Sequence, residues 1–305
     1  MADAILISPH LDDAALSCTG AVTRLIAAGV GVTIVTVCTA DEDPSARLSP
    51  LARRSHASWG LGATPFAPRR DEDAEAMRRL GARGLHLGLA DAVYRRDSSG
   101  RPLYRRPVRV RIHPHDLSEF LPSLRASLEG VFAETPADLV VCPLGLGGHV
   151  DHVLARMAVE SLRDAESVVY YEEYPYLAFG TDATPSPHNV VSRDLALLAP
   201  TREEFEARIE AIACYRSQVR GLFPSRQERV REILAARLPL IGPLLNPGKD
   251  LRPPTERVRA RLCRDLAAFG GERYWCPRRS PLLPLLVAGG GANDAGCHFQ
   301  EYTRM

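Results

Sequence analysis

The stretch AILISPHLDDAAL, residues 4–16, sets a short apolar run directly before a His and two adjacent Asp. AILIS ends at Pro9 and reads as a strand buried on both faces. Behind it, AALSCTGAVTRLIAAG (14–29) has apolar residues at helical spacing and stops on Gly29, a helix C-terminal signal. VGVTIVTVCTA (30–40) is β-branched and reads as a second buried strand. His10, Asp12 and Asp13 therefore fall at the end of the first strand. Titratable side chains placed there are costly unless a partner or a metal holds them.

The alternation continues outward from this unit. DEDAEAMRRLG (71–81) predicts an acidic-started helix with a Gly stop, and GLHLGLAD (84–91) predicts a strand. Residues 117–134 predict a helix, 138–145 (DLVVCPLG) a buried strand, 152–165 a helix, and 167–176 (SVVYYEEYPY) the start of a strand. Strand–helix–strand alternation with continuously apolar strands predicts an α/β fold, a mostly parallel sheet covered by helices on both faces. Ligands bind such sheets beyond the carboxyl ends of the strands. Residues 201–220 predict one further helix. Residues 225–254 mix an amphipathic stretch with Pro and Gly breaks and are read as a packed helix pair, with a cover over the site as the alternative. No linker or repeat interrupts residues 1–280, read as a single domain, and the Gly-rich residues 281–305 are expected to form a poorly ordered tail.

Composition narrows the function class. The 305 residues are 45% hydrophobic and 25% charged with a formal net charge of +1, which argues against a nucleic-acid surface. No apolar run reaches the length of a membrane span, and MADAILISPH lacks the basic and apolar segments of a signal peptide. The seven cysteines are odd in number, show no C-x-x-C spacing and sit largely in apolar runs. Free thiols and a cytoplasmic location are expected.

Two constellations fall at strand ends and so on one edge of the sheet. The first is His10-Leu11-Asp12-Asp13; the second is Gly147-Gly148-His149-Val150-Asp151-His152. GLGGH invites a dinucleotide reading, but the third Gly of that fingerprint is missing and two His stand where phosphate would approach. His and Asp are ligands that zinc takes, and three protein ligands leave an open position for catalysis. The spacing suggests a pair from the first loop (His10, Asp13) and one His from the second (His152). Asp12, His149 and Asp151 are then polar groups beside the metal. A carboxylate can take a proton from metal-activated water, and a His can steady an oxyanion or protonate a leaving amine. In this reading Asp151 orients His149 and raises its pKa. The set is suited to metal-assisted amide hydrolysis.

With PHLDD and HVDH in place, the chain resembles the LmbE-like, or PIG-L-like, zinc-dependent N-deacetylases, bacterial branch. Leu11 stands where that family commonly has Pro. The resemblance implies a Rossmann-like three-layer sandwich, metal on His10, Asp13 and His152, Asp12 as base, His149 as electrophile or acid, and Asp151 as its partner. The metal implied is Zn²⁺, with Fe²⁺ suited to the same imidazole and carboxylate ligands. RRDEDAEAMRRLGA and HLGLADAVYR are similar to family segments lining the pocket, which makes Arg69 (or its neighbour Arg70) and Asp91 candidates for holding sugar hydroxyls. YYEEYPY adds Tyr174, and less directly Tyr176, as pocket residues. The implied substrate is a small N-acyl molecule, an N-acetylated amino sugar, glycoside or sugar-containing natural product, with no nucleic acid or membrane partner and room for a homo-oligomer. The alternatives are a hydrolase of a non-sugar amide and a metal- or nucleotide-binding module without turnover.

Overall fold

From Ala4 onward β1 (Asp3–Ser8) is buried, because its side chains alternate into two cores. Ala4 and Leu6 enter one, Ile5 and Ile7 the other. In this computed structural model the described residues are 3–41, 43, 47–61, 65–107, 111–176, 193–223, 253–277 and 284. Around β1 lie β2 (Gly31–Cys38), β3 (Arg83–Leu89), β4 (Leu139–Pro143), β5 (Val168–Tyr171), β6 (Arg193–Leu198) and β7 (Glu272–Pro277). They form one seven-stranded sheet in the order β3-β2-β1-β4-β5-β7-β6. The first five strands are parallel, and β7 runs antiparallel to both β5 and β6.

Helices cover both faces. On one lie α1 (Asp13–Ser17), α2 (Thr19–Ala27), α4 (Phe66–Leu80), α7 (Arg202–Cys214), α8 (Arg216–Leu222) and α9 (Pro254–Phe269). On the other lie α5 (Leu121–Glu134) and α6 (Val150–Leu162), while α3 (Pro50–Trp59) packs against α8. This is the expected three-layer α/β sandwich with a mostly parallel sheet.

Several elements depart from the sequence reading. The helix expected over 14–29 is broken at Cys18 (φ −132°, ψ 11°) into α1 and α2. Glu272 of β7 accepts hydrogen bonds from Gly20 N (2.8 Å) and Ala21 N (3.2 Å), so the first amides of α2 find partners outside their own helix. The helix expected from Asp71 begins at Phe66, burying Arg69 in its first turns. The helix expected over 201–220 breaks at Tyr215, whose buried hydroxyl donates to Asp73 Oδ1 at 2.7 Å. The stretch 167–176 begins as a strand, as expected, and leaves it at Tyr171. Six cysteines are free as expected, five of them buried, and Cys297 lies outside the described residues. So do 225–252 of the amphipathic stretch and 285–305 of the tail. Among the described residues no helix is long and apolar enough to cross a membrane.

Replacing Glu272, 4% exposed, by Ala strands the Gly20 and Ala21 amides and leaves Arg208 beside an empty space. Urea unfolding should show a loss of about 2–4 kcal/mol. Wild-type stability in this variant would show that β7 does not hold α2 in place.

Candidate metal centre

From β1 the chain moves out to β2, whereas β4 lies on the other side of β1 and leads on to β5. The carboxyl ends of β1 and β4 thus border a crevice where two distant loops meet. Leaving β1, Ser8 Oγ donates to His10 O (2.8 Å) and accepts from Ala14 N (3.1 Å), folding the loop onto α1. His10 N donates to Asp13 Oδ2 at 2.8 Å. Leaving β4, Gly147 turns at φ 73°, and a Cβ there would meet the Tyr176 ring at 2.6 Å. His149 then caps α6, its Nδ1 accepting from Asp151 N at 3.3 Å.

Three donor atoms face one another across this crevice. His10 Nδ1 lies 3.2 Å from Asp13 Oδ2 and 3.3 Å from His152 Nε2, and the third side, His152 Nε2 to Asp13 Oδ2, is 3.4 Å. Donors about 2.0–2.1 Å from one tetrahedral centre stand about 3.3–3.4 Å apart, so the triangle has the size that such an ion requires. The outer ring nitrogens are both backed by buried carboxylates: His10 Nε2 is 3.0 Å from Asp151 Oδ2, and His152 Nδ1 is 3.0 Å from Glu173 Oε1. A proton held on the outer nitrogen leaves the inner one with its lone pair towards the triangle. Ring nitrogens of His10, His149 and His152 also fall within 4.8 Å of one another, as do donors of His10, Cys38 and Asp151. The first set is the tighter, its donors 3.2–3.4 Å apart, and in the last Arg95 already sits on Asp151.

The electrostatics point the same way. Burial pushes Asp13 up, but His152 and His10 outweigh it and hold the carboxyl down at about 2. Burial works against charging His10, yet Asp13, Asp151 and Asp91 raise its pKa well above the usual imidazole value. His152 is raised against the same penalty by Asp13 and Glu173. Asp12 is pushed up to about 7 by burial and by Asp13, with Arg69 and His10 opposing. The imidazoles thus bind protons where the surrounding carboxylates call for a cation. Asp12 is also the one non-glycine residue with positive φ (155°) among the described residues, a conformation costing about 1–3 kcal/mol.

Of the residues expected at the site, the crevice brings together His10, Asp12, Asp13, His149, Asp151 and His152. Asp91 is there too, its Oδ2 3.8 Å from His10 Nε2 and its Oδ1 accepting from Val93 N. Arg69 is 3% exposed and lies over the rings of Trp59 (4.5 Å) and Phe66 (5.1 Å), while Arg70 turns away to Thr39 O and Asp41. Two expectations are corrected. Tyr174 packs away from the crevice, stacked on Phe223 with its hydroxyl on Asp265 Oδ2 at 2.6 Å; Tyr176 instead meets His152 edge-on at 5.7 Å. Asp151 lies closer to His10 than to the His149 ring (3.9 Å), and burial with the nearby His10 depresses the His149 pKa despite Asp151. Glu173, fully buried and also accepting from Gly145 N and Leu146 N, was not expected, although two adjacent Glu after a buried strand carried the same signal as the paired Asp of the first loop.

The model of one family, PIG-L, described as GlcNAc-PI de-N-acetylase, matches residues 5–162, which contain both constellations. The chain belongs to the PIG-L family. It is a deacetylase in class. This PIG-L chain is 28% identical over 250 residues to a 2'-N-acetylparomamine deacetylase of Niallia circulans, covering 73% of this chain and 83% of that protein. A 2'-N-acetylparomamine deacetylase of Streptomyces fradiae is 30% identical over 178 residues, 56% of this chain and 57% of that one. Among solved structures, a deacetylase from the teicoplanin biosynthesis pathway superposes with a TM-score of 0.67 at 25% identity, covering 90% of this chain and 96% of that one.

Two outcomes follow from the triangle. Because the site raises the pKa of His10 and His152, a divalent ion must displace protons to bind. Its affinity should therefore rise with pH through the neutral range, with proton release measurable by calorimetry in buffers of different ionisation enthalpy. Glu173→Gln should weaken metal binding about 10–100-fold, since the amide can present its NH₂ to His152 Nδ1 and favour the wrong tautomer.

Proposed function

We propose that this PIG-L protein removes the acetyl group from an N-acetylated amino sugar within a natural product, using zinc on His10, Asp13 and His152. The observation that carries this reading is the triangle of three ligand atoms, two of them backed by buried carboxylates, with Asp12 beside it. The substrate class is supported by the chain's relatives, two 2'-N-acetylparomamine deacetylases and a deacetylase of the teicoplanin biosynthesis pathway. The catalytic unit would span residues 1–280.

Held by His10, Asp13 and His152, zinc would supply Lewis-acid polarisation of the amide carbonyl and lower the pKa of the attacking water. Asp12, buried and carrying a raised pKa, is suited first to accept the water proton and then to pass it to the departing nitrogen. His149 uses Nδ1 as an acceptor from Asp151 N, so its proton resides on Nε2. With its pKa depressed it stays neutral and donates from Nε2 to the carbonyl oxygen as negative charge builds there. Arg69, its guanidinium seated on Trp59, is the candidate donor to sugar hydroxyls, and Asp91, beside His10, the candidate acceptor. The products are acetate and the amine, one proton of the water ending on the nitrogen and the other released as the acetic acid ionises.

Asp12→Asn should keep wild-type metal content and lose about 10²–10⁴ of kcat, measured as amine or acetate release. An active Asp12→Asn enzyme would refute the base assignment. In a panel pairing N-acetylated amino sugars and their glycosides with N-acyl amino acids, only the sugars should release amine. Turnover confined to the amino acids would refute the substrate class.

A further inference from the structure

His10 is oriented by Asp151, so whatever fixes Asp151 also acts on the metal triangle. Asp151 is 1% exposed, and two of its contacts come from the segment following β3. Ala92 N donates to Oδ2 at 3.1 Å, and Arg95 Nη1 meets Oδ1 at 2.5 Å. Arg95 is itself held by three further groups. Its Nη2 lies 2.9 Å from Asp116 Oδ2, its Nη1 donates to Ala90 O at 3.2 Å, and its guanidinium lies 4.0 Å over the Phe120 ring. The Tyr104 hydroxyl donates to the same Asp116 oxygen at 2.6 Å. A continuous line thus runs from His10 through Asp151, Arg95 and Asp116 to Tyr104.

An Arg buried between two Asp often stabilises a fold no more than apolar side chains of the same volume would. What it supplies is direction. A carboxylate touching only His10 could rotate about its own axis and take the imidazole with it. The guanidinium on Oδ1 and the Ala92 amide on Oδ2 fix the carboxylate plane, which in turn fixes the ring and aims Nδ1 at the triangle.

We propose that Arg95 is a positioning residue for the metal ligand His10, acting through Asp151, and that Asp116 and Tyr104 hold Arg95 in that role. The inference rests on the assignment of His10 as a ligand. It gives the segment between β3 and α5 a task in metal binding without contact to metal or substrate.

The test uses the full chain, stripped with a chelator and titrated with Zn²⁺ or Co²⁺. Arg95→Met should bind Zn²⁺ about 10–100-fold more weakly and show an altered visible spectrum with Co²⁺. Arg95→Lys should recover part of the affinity, since it restores the charge but not the planar fork. At saturating metal, kcat should fall while KM stays unchanged. A folded Arg95→Met protein with wild-type Zn²⁺ affinity and a wild-type Co²⁺ spectrum would overturn the proposal alone. A wild-type chain that takes up no metal would overturn the ligand assignment and the proposal together. If Arg95→Met does not fold, Asp116→Asn and Tyr104→Phe carry the test: weakened metal binding in Asp116→Asn supports the proposal, and wild-type affinity in both overturns it.

Discussion

Charged carboxylates do not stay in a protein interior without a counter-charge, and this chain buries five of them around the carboxyl ends of four strands. Asp12, Asp13, Asp91, Asp151 and Glu173 are each 7% exposed or less. Arg95 answers part of that charge on the outer side, and Arg69 some of it beside Asp12. The remainder falls on His10 and His152, whose pKa values rise as a result. A divalent cation on the triangle would carry the same two positive charges in place of those protons, and it would leave Asp12 free to exchange a proton with water.

The sheet makes this concentration of charge possible. Because β1 and β4 are neighbours while their following segments leave to opposite sides, the loops after them converge without backbone filling the space between. β5 adds Glu173 from the next position in the sheet. All five carboxylates thus lie in segments that leave strand ends, Asp91 behind edge strand β3. The cost is concentrated at Asp12, whose positive φ is maintained between the folded 8–14 loop and the start of α1.

Much of this was legible in the residues. The alternation of apolar strands and helices carried the parallel part of the sheet, and H-x-D-D with H-x-D-H pointed to the crevice where His10, Asp13 and His152 meet. What was not legible depends on tertiary placement. Arg95 and Asp116 look like ordinary loop charges until the fold brings them to Asp151. Tyr174 and Tyr176, two residues apart, differ in role because the chain turns after β5 ends at Tyr171, and no local pattern states which ring faces the crevice. β6 and β7 escaped notice because their pairing is antiparallel and long-range, joining residues 193–198 to 272–277. α3, short and half-exposed, has a weak apolar pattern, and its worth lies in Trp59, which seats Arg69.

X-ray absorption at the zinc edge of the metal-loaded protein tests the central claim most directly. The account predicts a four-coordinate ion with two imidazole nitrogens and two oxygens at about 2.0–2.1 Å, and loss of one imidazole in both His10→Ala and His152→Ala. A sulfur neighbour at about 2.3 Å, or a third imidazole that disappears in His149→Ala, would contradict it.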